Sequence, residues 1–340
     1  MNPTIADVAQ KAGVSITTVS RVINNNYPVS QKTRKKVEEA IKELDFIPNY
    51  MAQGLMKKPS HTIGVLIVSV TNPYFSEIVE GIDQYTKRHG YILFLCQSED
   101  RVEVEQRYIK ELIQRQVDGI IVVDGSKENS QNGFFEKISS KVPFVIINGY
   151  HEEVRCNFVI SDQEKGVEEA LRYLIELGHK DIAFIRGKEY HSYDIKEKVY
   201  KKILKESNLP YNSEFIWTVP IASSMNTILC TELLVEKYLL NRKKPTAIFA
   251  CNDLMAKGAL NAAHKLNIKV PEQLSIIGHD NIYISEISEP PLTTIDLEMK
   301  QIGKVAGELL LDLINKDKEG IYKKVLIPHL IKRSSCTSLL

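Results

Sequence analysis

Lys11–Asn25 reads KAGVSITTVSRVINN, a glycine break followed by short hydroxyl side chains, one arginine and two asparagines. Val19, Val22 and Ile23 fall at helical spacing, which leaves Ser15, Thr17, Thr18, Ser20, Arg21 and Asn24 on the other face. Short hydroxyl and amide side chains are middling helix formers because they compete for the backbone's own hydrogen bonds. Local stability does not select them here; a surface rich in hydrogen-bond acceptors does.

The flanking sequence supplies the rest of a small head. Ile5, Val8, Ala9 and Ala12 recur at i, i+3, i+4 and i+7 behind Thr4, a capping residue. Gly13 breaks this first helix and Ser15 caps the second, a turn of about four residues, as helix-turn-helix geometry requires. A third helix follows Ser30 in SQKTRKKVEEAIKEL, burying Val37, Ala40, Ile41 and Leu44, with Pro48 expected to end it. The polar face of the middle helix fits a DNA major groove, where side chains reach base edges and the helix N-terminus meets phosphate. The alternative is a three-helix bundle whose hydroxyls merely face water.

Charge separates the same two regions. Residues 1–58 carry nine lysines and arginines against five acids, while the remainder carries 35 against 38. A basic head sits on a slightly acidic body, the footprint of nucleic-acid contact. Between them Ile47–Lys58, IPNYMAQGLMKK, sets Ala52, Leu55 and Met56 on one side, with Pro48 near its start and Pro59 just after it. It is too short to hold a helix alone, so it is either a linker or a segment that folds when paired on DNA.

From Ile63 onward, IGVLIVS, YILFLCQ, GIIVV and PFVIIN read as buried strands alternating with amphipathic helices such as SEIVEGIDQYTKRH. The series repeats from Phe158 with FVI, IAFIR, FIWTV, AIFA and LSIIGHD. Strand and helix in alternation imply parallel sheets, here two doubly wound α/β lobes facing one another. Ligands in such folds sit at the carboxyl ends of strands. Those ends carry Ser69, Tyr74, Phe75, Asp124, Asn148, Asn252, Asp253 and Asp280. Amide, carboxylate and hydroxyl groups beside aromatic rings suit a polyhydroxylated or flat polar ligand, although any one of them also suits a helix cap or turn.

Other classes are disfavoured. No apolar run approaches the roughly 18 residues of a membrane helix, and no leader pattern opens the chain, so a cytoplasmic protein is expected. Five scattered cysteines without C-x-x-C spacing and eight histidines without H-x-x-x-H predict reduced thiols, no metal and no cofactor. No phosphate loop, dinucleotide fingerprint or nucleophile elbow marks an enzyme. Periplasmic sugar receptors share the two-lobed shape, but the basic head argues against that reading.

TIADVAQKAGVSITTVSRVINN followed by PNYMAQGL resembles the head and hinge of the LacI/GalR family of bacterial transcriptional regulators. The resemblance continues in NPYFSEIVEGI, QVDGIIV, LIELGHKDIAFI, PTAIFACNDLMAKGAL, VPEQLSIIGHDN and PPLTTID, covering nearly the whole chain. It implies a helix-turn-helix head at 1–46, a hinge at 47–59 and a periplasmic-binding-protein-like core at 60–340. The core's first lobe would span about 60–157 and 291–321, its second about 158–290 and 322–340. It also implies a homodimer on a palindromic operator, regulated by a small effector, most commonly a sugar.

By the same resemblance Ile16, Thr17 and Arg21 read bases, while Thr4, Ser15, Thr18, Ser20 and Asn24 approach phosphates. Arg suits a bidentate pair with guanine, and Ile a thymine methyl. Asn49, Ala52, Gln53 and Leu55 form the hinge's minor-groove contact, with Leu55 as the wedge. Ser69, Tyr74, Phe75, Asn148, Lys196, Asn252 and Asp280 are the effector-contact candidates. Three departures stand out. Lys196 occupies a position where the family commonly has Arg, Val199 stands at the following Gly, and His279 replaces the usual aromatic. Lys lacks the bidentate fork of Arg. Together with the unusual loop WTVPIASSMN, these changes raise the expectation of an acidic or phosphorylated ligand.

Overall fold

The computed structural model describes residues 3–24, 27–47, 59–149, 153–188, 191–241, 244–318 and 320–339. The chain divides into two compact units, residues 1–60 and 61–340. In the first, α1 (Ile5–Ala12), α2 (Ile16–Asn24) and α3 (Gln31–Glu43) enclose Val8, Ala9, Ala12, Val19, Val22, Val37 and Ala40. Thr4 and Asp7 form a reciprocal capping box, and Gly13 ends α1 at φ 65°, a conformation glycine adopts without strain. Three residues separate α1 from α2. The third helix stops at Glu43, where Asp45 turns left-handed, four residues short of Pro48. The hinge candidates Asn49, Ala52, Gln53 and Leu55 lie outside the described residues.

The second unit begins with β1 (Thr62–Ile67), α4 (Pro73–Lys87), β2 (Ile92–Gln97), α5 (Val102–Gln114), β3 (Gly119–Val123), α6 (Lys127–Gln131), α7 (Phe134–Ser139), β4 (Phe144–Ile147) and β5 (Asn157–Ser161). It continues through α8 (Gln163–Glu176), β6 (Ile182–Gly187), α9 (His191–Glu206), β7 (Ile216–Val219), α10 (Asn226–Asn241), β8 (Ala247–Ala250), α11 (Asp253–Lys265), β9 (Ser275–Ile277) and α12 (Tyr283–Ile287). It closes with β10 (Thr294–Asp296), α13 (Met299–Asn315), β11 (Lys323–Leu326) and β12 (His329–Ile331).

Two parallel sheets result, ordered β11-β5-β4-β3-β1-β2 and β7-β6-β8-β9, with β10 and β12 as a separate antiparallel pair. The strand at 157–161, which the repeat of the pattern assigns to the second lobe, belongs to the first. Its backbone pairs with β4 on one side and β11 on the other. The lobe boundaries therefore move: residues through 161 and the strand 323–326 complete the first sheet, whereas 293–296 continue beside β9 and pair with β12. Hydrophobic pattern marks a buried strand without saying which sheet buries it.

A second difference concerns β2, expected to be buried. It is the edge strand of its sheet, and Ile92, Phe94 and Leu95 are exposed. A third concerns packing. Helices α4 and α13 touch backbone to backbone, because a Cβ at Gly81 would lie 2.1 Å from the Lys300 carbonyl oxygen and one at Gly303 2.1 Å from that of Ile78. Gly303→Ala is expected to cost about 1–3 kcal/mol despite alanine's better helix propensity, since the new methyl meets a backbone oxygen, that of Ile78, and not the end of a flexible side chain. Denaturant unfolding of the purified variant measures it; an unchanged midpoint would refute the close-packed seam.

Candidate nucleic-acid interface and ligand cleft

Helix α2 presents the face that the sequence picks out. Val19 and Val22 are buried, while Ser15, Ile16, Thr17 and Arg21 are exposed and Thr18, Ser20 and Asn24 half-buried. Ile16, which by spacing also suited the bundle core, is 51% exposed. Ser15 caps the helix through the Thr18 amide at 3.2 Å, and its hydroxyl pairs with that of Thr18 at 2.9 Å. Asn24 donates to Ser20 at 3.1 Å. The Arg21 guanidinium lies 4.5 Å from the ring centroid of exposed Tyr27, a cation–π contact. Sequence reading did not single out Tyr27.

In the body, polar residues gather where the strands end. Asp124 follows β3, Asn148 follows β4 and Asp280 follows β9, with φ of 50°, 57° and 118°. Left-handed backbone is rare outside glycine, and Asp and Asn tolerate it best. The local turn thus accounts for the residue type, and the turn aims the side chain into the cleft between the lobes. Asn72 and Asn252 are helix caps, accepting from the amides of Tyr74 at 3.1 Å and Met255 at 2.8 Å.

A cavity of about 60 Å³ joins the two lobes, lined by Tyr74, Phe75 and Asp124 from the first and by Lys196, Asn252 and Asp280 from the second. Asn72, Gln163, Ser192, Tyr193 and Ser223 complete its polar wall. Of the sequence candidates, Asn148 reaches this site by donating to the Tyr74 hydroxyl at 2.5 Å. Ser69 is not among the lining residues and pairs instead with the Thr71 hydroxyl at 2.9 Å. Ser192 and Tyr193 lie one turn before Lys196 on α9, a spacing from which they were legible.

The cleft's electrostatics are unusual. Lys196 is buried; its ammonium donates to the Cys251 carbonyl at 2.8 Å and lies 3.1 Å from His279 Nδ1. His279 Nδ1 is also 3.1 Å from Asp280 Oδ1. Burial, aided by the Lys196 charge, pushes the imidazole well below its ordinary range, so the ring is neutral. Burial raises Asp124 to about 6 against the opposing pull of the Tyr74 hydroxyl, the Lys196 charge and the Asn148 amide. Asp280 is driven upward by burial, with Asp253 and Asp124 repelling its charge. Asp253 itself rises to about 7; it lies behind the cleft, accepting from Thr294 at 2.6 Å and from the Ile282 amide at 2.9 Å. Among the described residues no group of histidines, cysteines and acids has metal-binding geometry.

Comparison with known proteins follows the same division. Residues 4–49 match the family described as bacterial regulatory proteins, lacI family, and residues 171–336 match a periplasmic binding protein-like domain. A protein of Vibrio parahaemolyticus named HTH-type transcriptional repressor PurR is 37% identical over 318 residues, 93% of each chain. The lac repressor dimer bound to operator and the anti-inducer ONPF superposes with a TM-score of 0.88 at 28% identity, over 99% of this chain and 100% of that one. The regulator CelR in complex with cellobiose gives 0.72 at 26%, over 98% and 99%.

Asp124→Asn tests the buried carboxylate. The folded-state value lies above the ordinary 3.8, so its stabilising contribution is full below about pH 4 and is lost as pH rises through 6. The variant should match the parent near pH 4 and be more stable at pH 8, by about 1–3 kcal/mol. Thermal unfolding across that range reads it, and a constant offset between the two proteins would rule out the assignment.

Proposed function

Because the chain belongs to the lacI family of bacterial regulatory proteins, we infer that it is a sequence-specific DNA-binding transcriptional repressor whose hold on its operator is set by a small effector. The observation that carries this reading is the outward face of α2, where Ile16, Thr17 and Arg21 stand exposed on a helix whose opposite side packs the head. Arg21 reads guanine by a bidentate pair, Ile16 rests on a thymine methyl, and Thr17 adds a hydroxyl. Thr4, Ser15, Thr18, Ser20 and Asn24 face phosphate and set the register, which makes affinity fall with salt. The head is assigned to 1–46 and the hinge to 47–59.

The repressor acts as a homodimer, so that two heads meet the halves of a near-palindrome. Apolar side chains left uncovered support this: Ile92, Phe94 and Leu95 on β2, and Leu229, Leu233 and Leu240 on α10. The effector occupies the cleft through Tyr74, Phe75, Asn148, Lys196, Asn252 and Asp280. A sugar or sugar derivative is the class proposed, supported by the cellobiose complex and by a lacI-family regulator of Enterococcus faecium with bound ribose. Among the described residues no helix is long and apolar enough to cross a membrane.

Arg21→Ala should weaken binding to an operator selected from random duplexes by about 1–3 kcal/mol, with little change on scrambled DNA. Fluorescence anisotropy on both duplexes decides it, and equal loss on each would remove Arg21 from the readers. Leu229→Glu combined with Leu233→Glu should yield monomers in sedimentation velocity and weaken operator binding; a variant that stays dimeric would move the interface elsewhere.

A further inference from the structure

The charged groups of the cleft are weighted toward carboxylates. Two carboxylates, Asp124 and Asp280, line it against one cation, Lys196, among the described residues. The Lys196 ammonium is already bonded to the Cys251 carbonyl and faces His279 Nδ1. The Asn252 amide is occupied at both ends, by the Met255 N–H and the Ala222 carbonyl at 3.2 Å. The Asn148 amide is likewise engaged, with the Tyr74 hydroxyl and the Ser161 N–H. By contrast Gln163 Oε1 is buried with no hydrogen-bond partner. The ionised carboxylates and this oxygen can only accept, whereas the Ser192 and Ser223 hydroxyls on the same wall accept or donate.

We propose that the effector carries a protonated amine on a polyhydroxylated frame, such as an amino sugar, and that Asp124 is the residue that selects it, acting across the cleft from Asp280. The proposal rests on the reading of this cleft as the effector site and names its ligand class. Lys196 by itself suggests an acidic or phosphorylated ligand. An anion, however, would meet two carboxyl groups and an ammonium with two of its three donors engaged, whereas a ligand ammonium brings donors to both carboxyl groups and a charge that favours their ionised form. The groups facing Asp124 are Tyr74 on α4, Asp100 ahead of α5, Tyr193 and Lys196 on α9, and Asp280 after β9. None but Lys196 brings positive charge.

Isothermal titration of the full-length protein with matched sets tests this: a pentose, a hexose and a disaccharide, each as the neutral sugar, the amino sugar and the sugar phosphate. Within a set the amino sugar should bind at least tenfold more tightly than either companion. Because Asp124 ionises near 6, its affinity should rise about tenfold from pH 5 to pH 7 while the neutral sugar's stays level. Asp124→Asn should abolish both the preference and the pH dependence, with cooperative unfolding confirming that the variant folds. A neutral or phosphorylated member that binds as tightly as its amino companion, an amine preference that survives Asp124→Asn, or no binding by any amino sugar overturns the proposal. Operator affinity measured with each bound compound separates the two readings. Neutral-sugar binding that changes it leaves the effector site standing without the amine, and amine binding that leaves it unchanged removes the effector role alone.

Discussion

A parallel strand must be carried back across its sheet before it can add a neighbour, and the organisation of the body follows from that constraint. Every return puts a helix on a face of the sheet and a turn at the carboxyl end of the strand. The faces become core, as in β1, β3 and β4, which are buried along their whole length. Chemistry is therefore confined to the turns. Asp124, Asn148 and Asp280 sit at such turns with left-handed backbone, and Asn72 and Asn252 cap the helices that leave them. Residues that local geometry would select as turn formers are thereby the residues that meet across the cleft.

The order of strands gives the lobes their mechanical relation. Because β11 closes the first sheet beside β5, while β10 and β12 lie with the second lobe, the chain crosses between lobes three times. Three short connections permit rotation of one lobe on the other and resist their separation. The seam of α4 against α13, with glycine backbones in close approach, packs the late segment against the early one within the first lobe. A ligand that bridges Asp124 and Asp280 touches both bodies, and so has a differential interaction with open and closed arrangements, which any effector must have. Couplings of this kind amount to roughly 1–3 kcal/mol.

The head was legible almost entirely, since its signals are local: Thr4, Gly13, Ser15 and Ser30 act within one turn of where they stand. Even there Pro48 misled, because Asp45 ends α3 before the proline is reached. The strands and helices of the body were legible for the same reason, whereas the membership of β5 and the exposure of β2 depend on partners far away in sequence. Strand-end position pointed to most of the cleft, Asp124 included. It could not show that Gln163 joins the wall, because that depends on how the lobes face each other, and it passed over the local pairing of Ser69 with Thr71.

Lys196 and His279 look in sequence like independent departures from the pattern the chain resembles, and in the structure they are one. An arginine beside an aromatic ring would lay a planar guanidinium on the ring face and keep several donors free for a ligand. A lysine has three donors and no plane to stack, and His279 supplies it with a ring nitrogen 3.1 Å away. The neutral imidazole required for that contact is the form that burial enforces. Anchored between His279 and the Cys251 carbonyl, Lys196 keeps one donor of three for a ligand and serves as the internal counter-charge that opposes the burial-driven rise of Asp124 and Asp280. One ammonium does not offset the burial of two carboxyl groups, both of which are driven upward, and a ligand cation between them would favour their charged form.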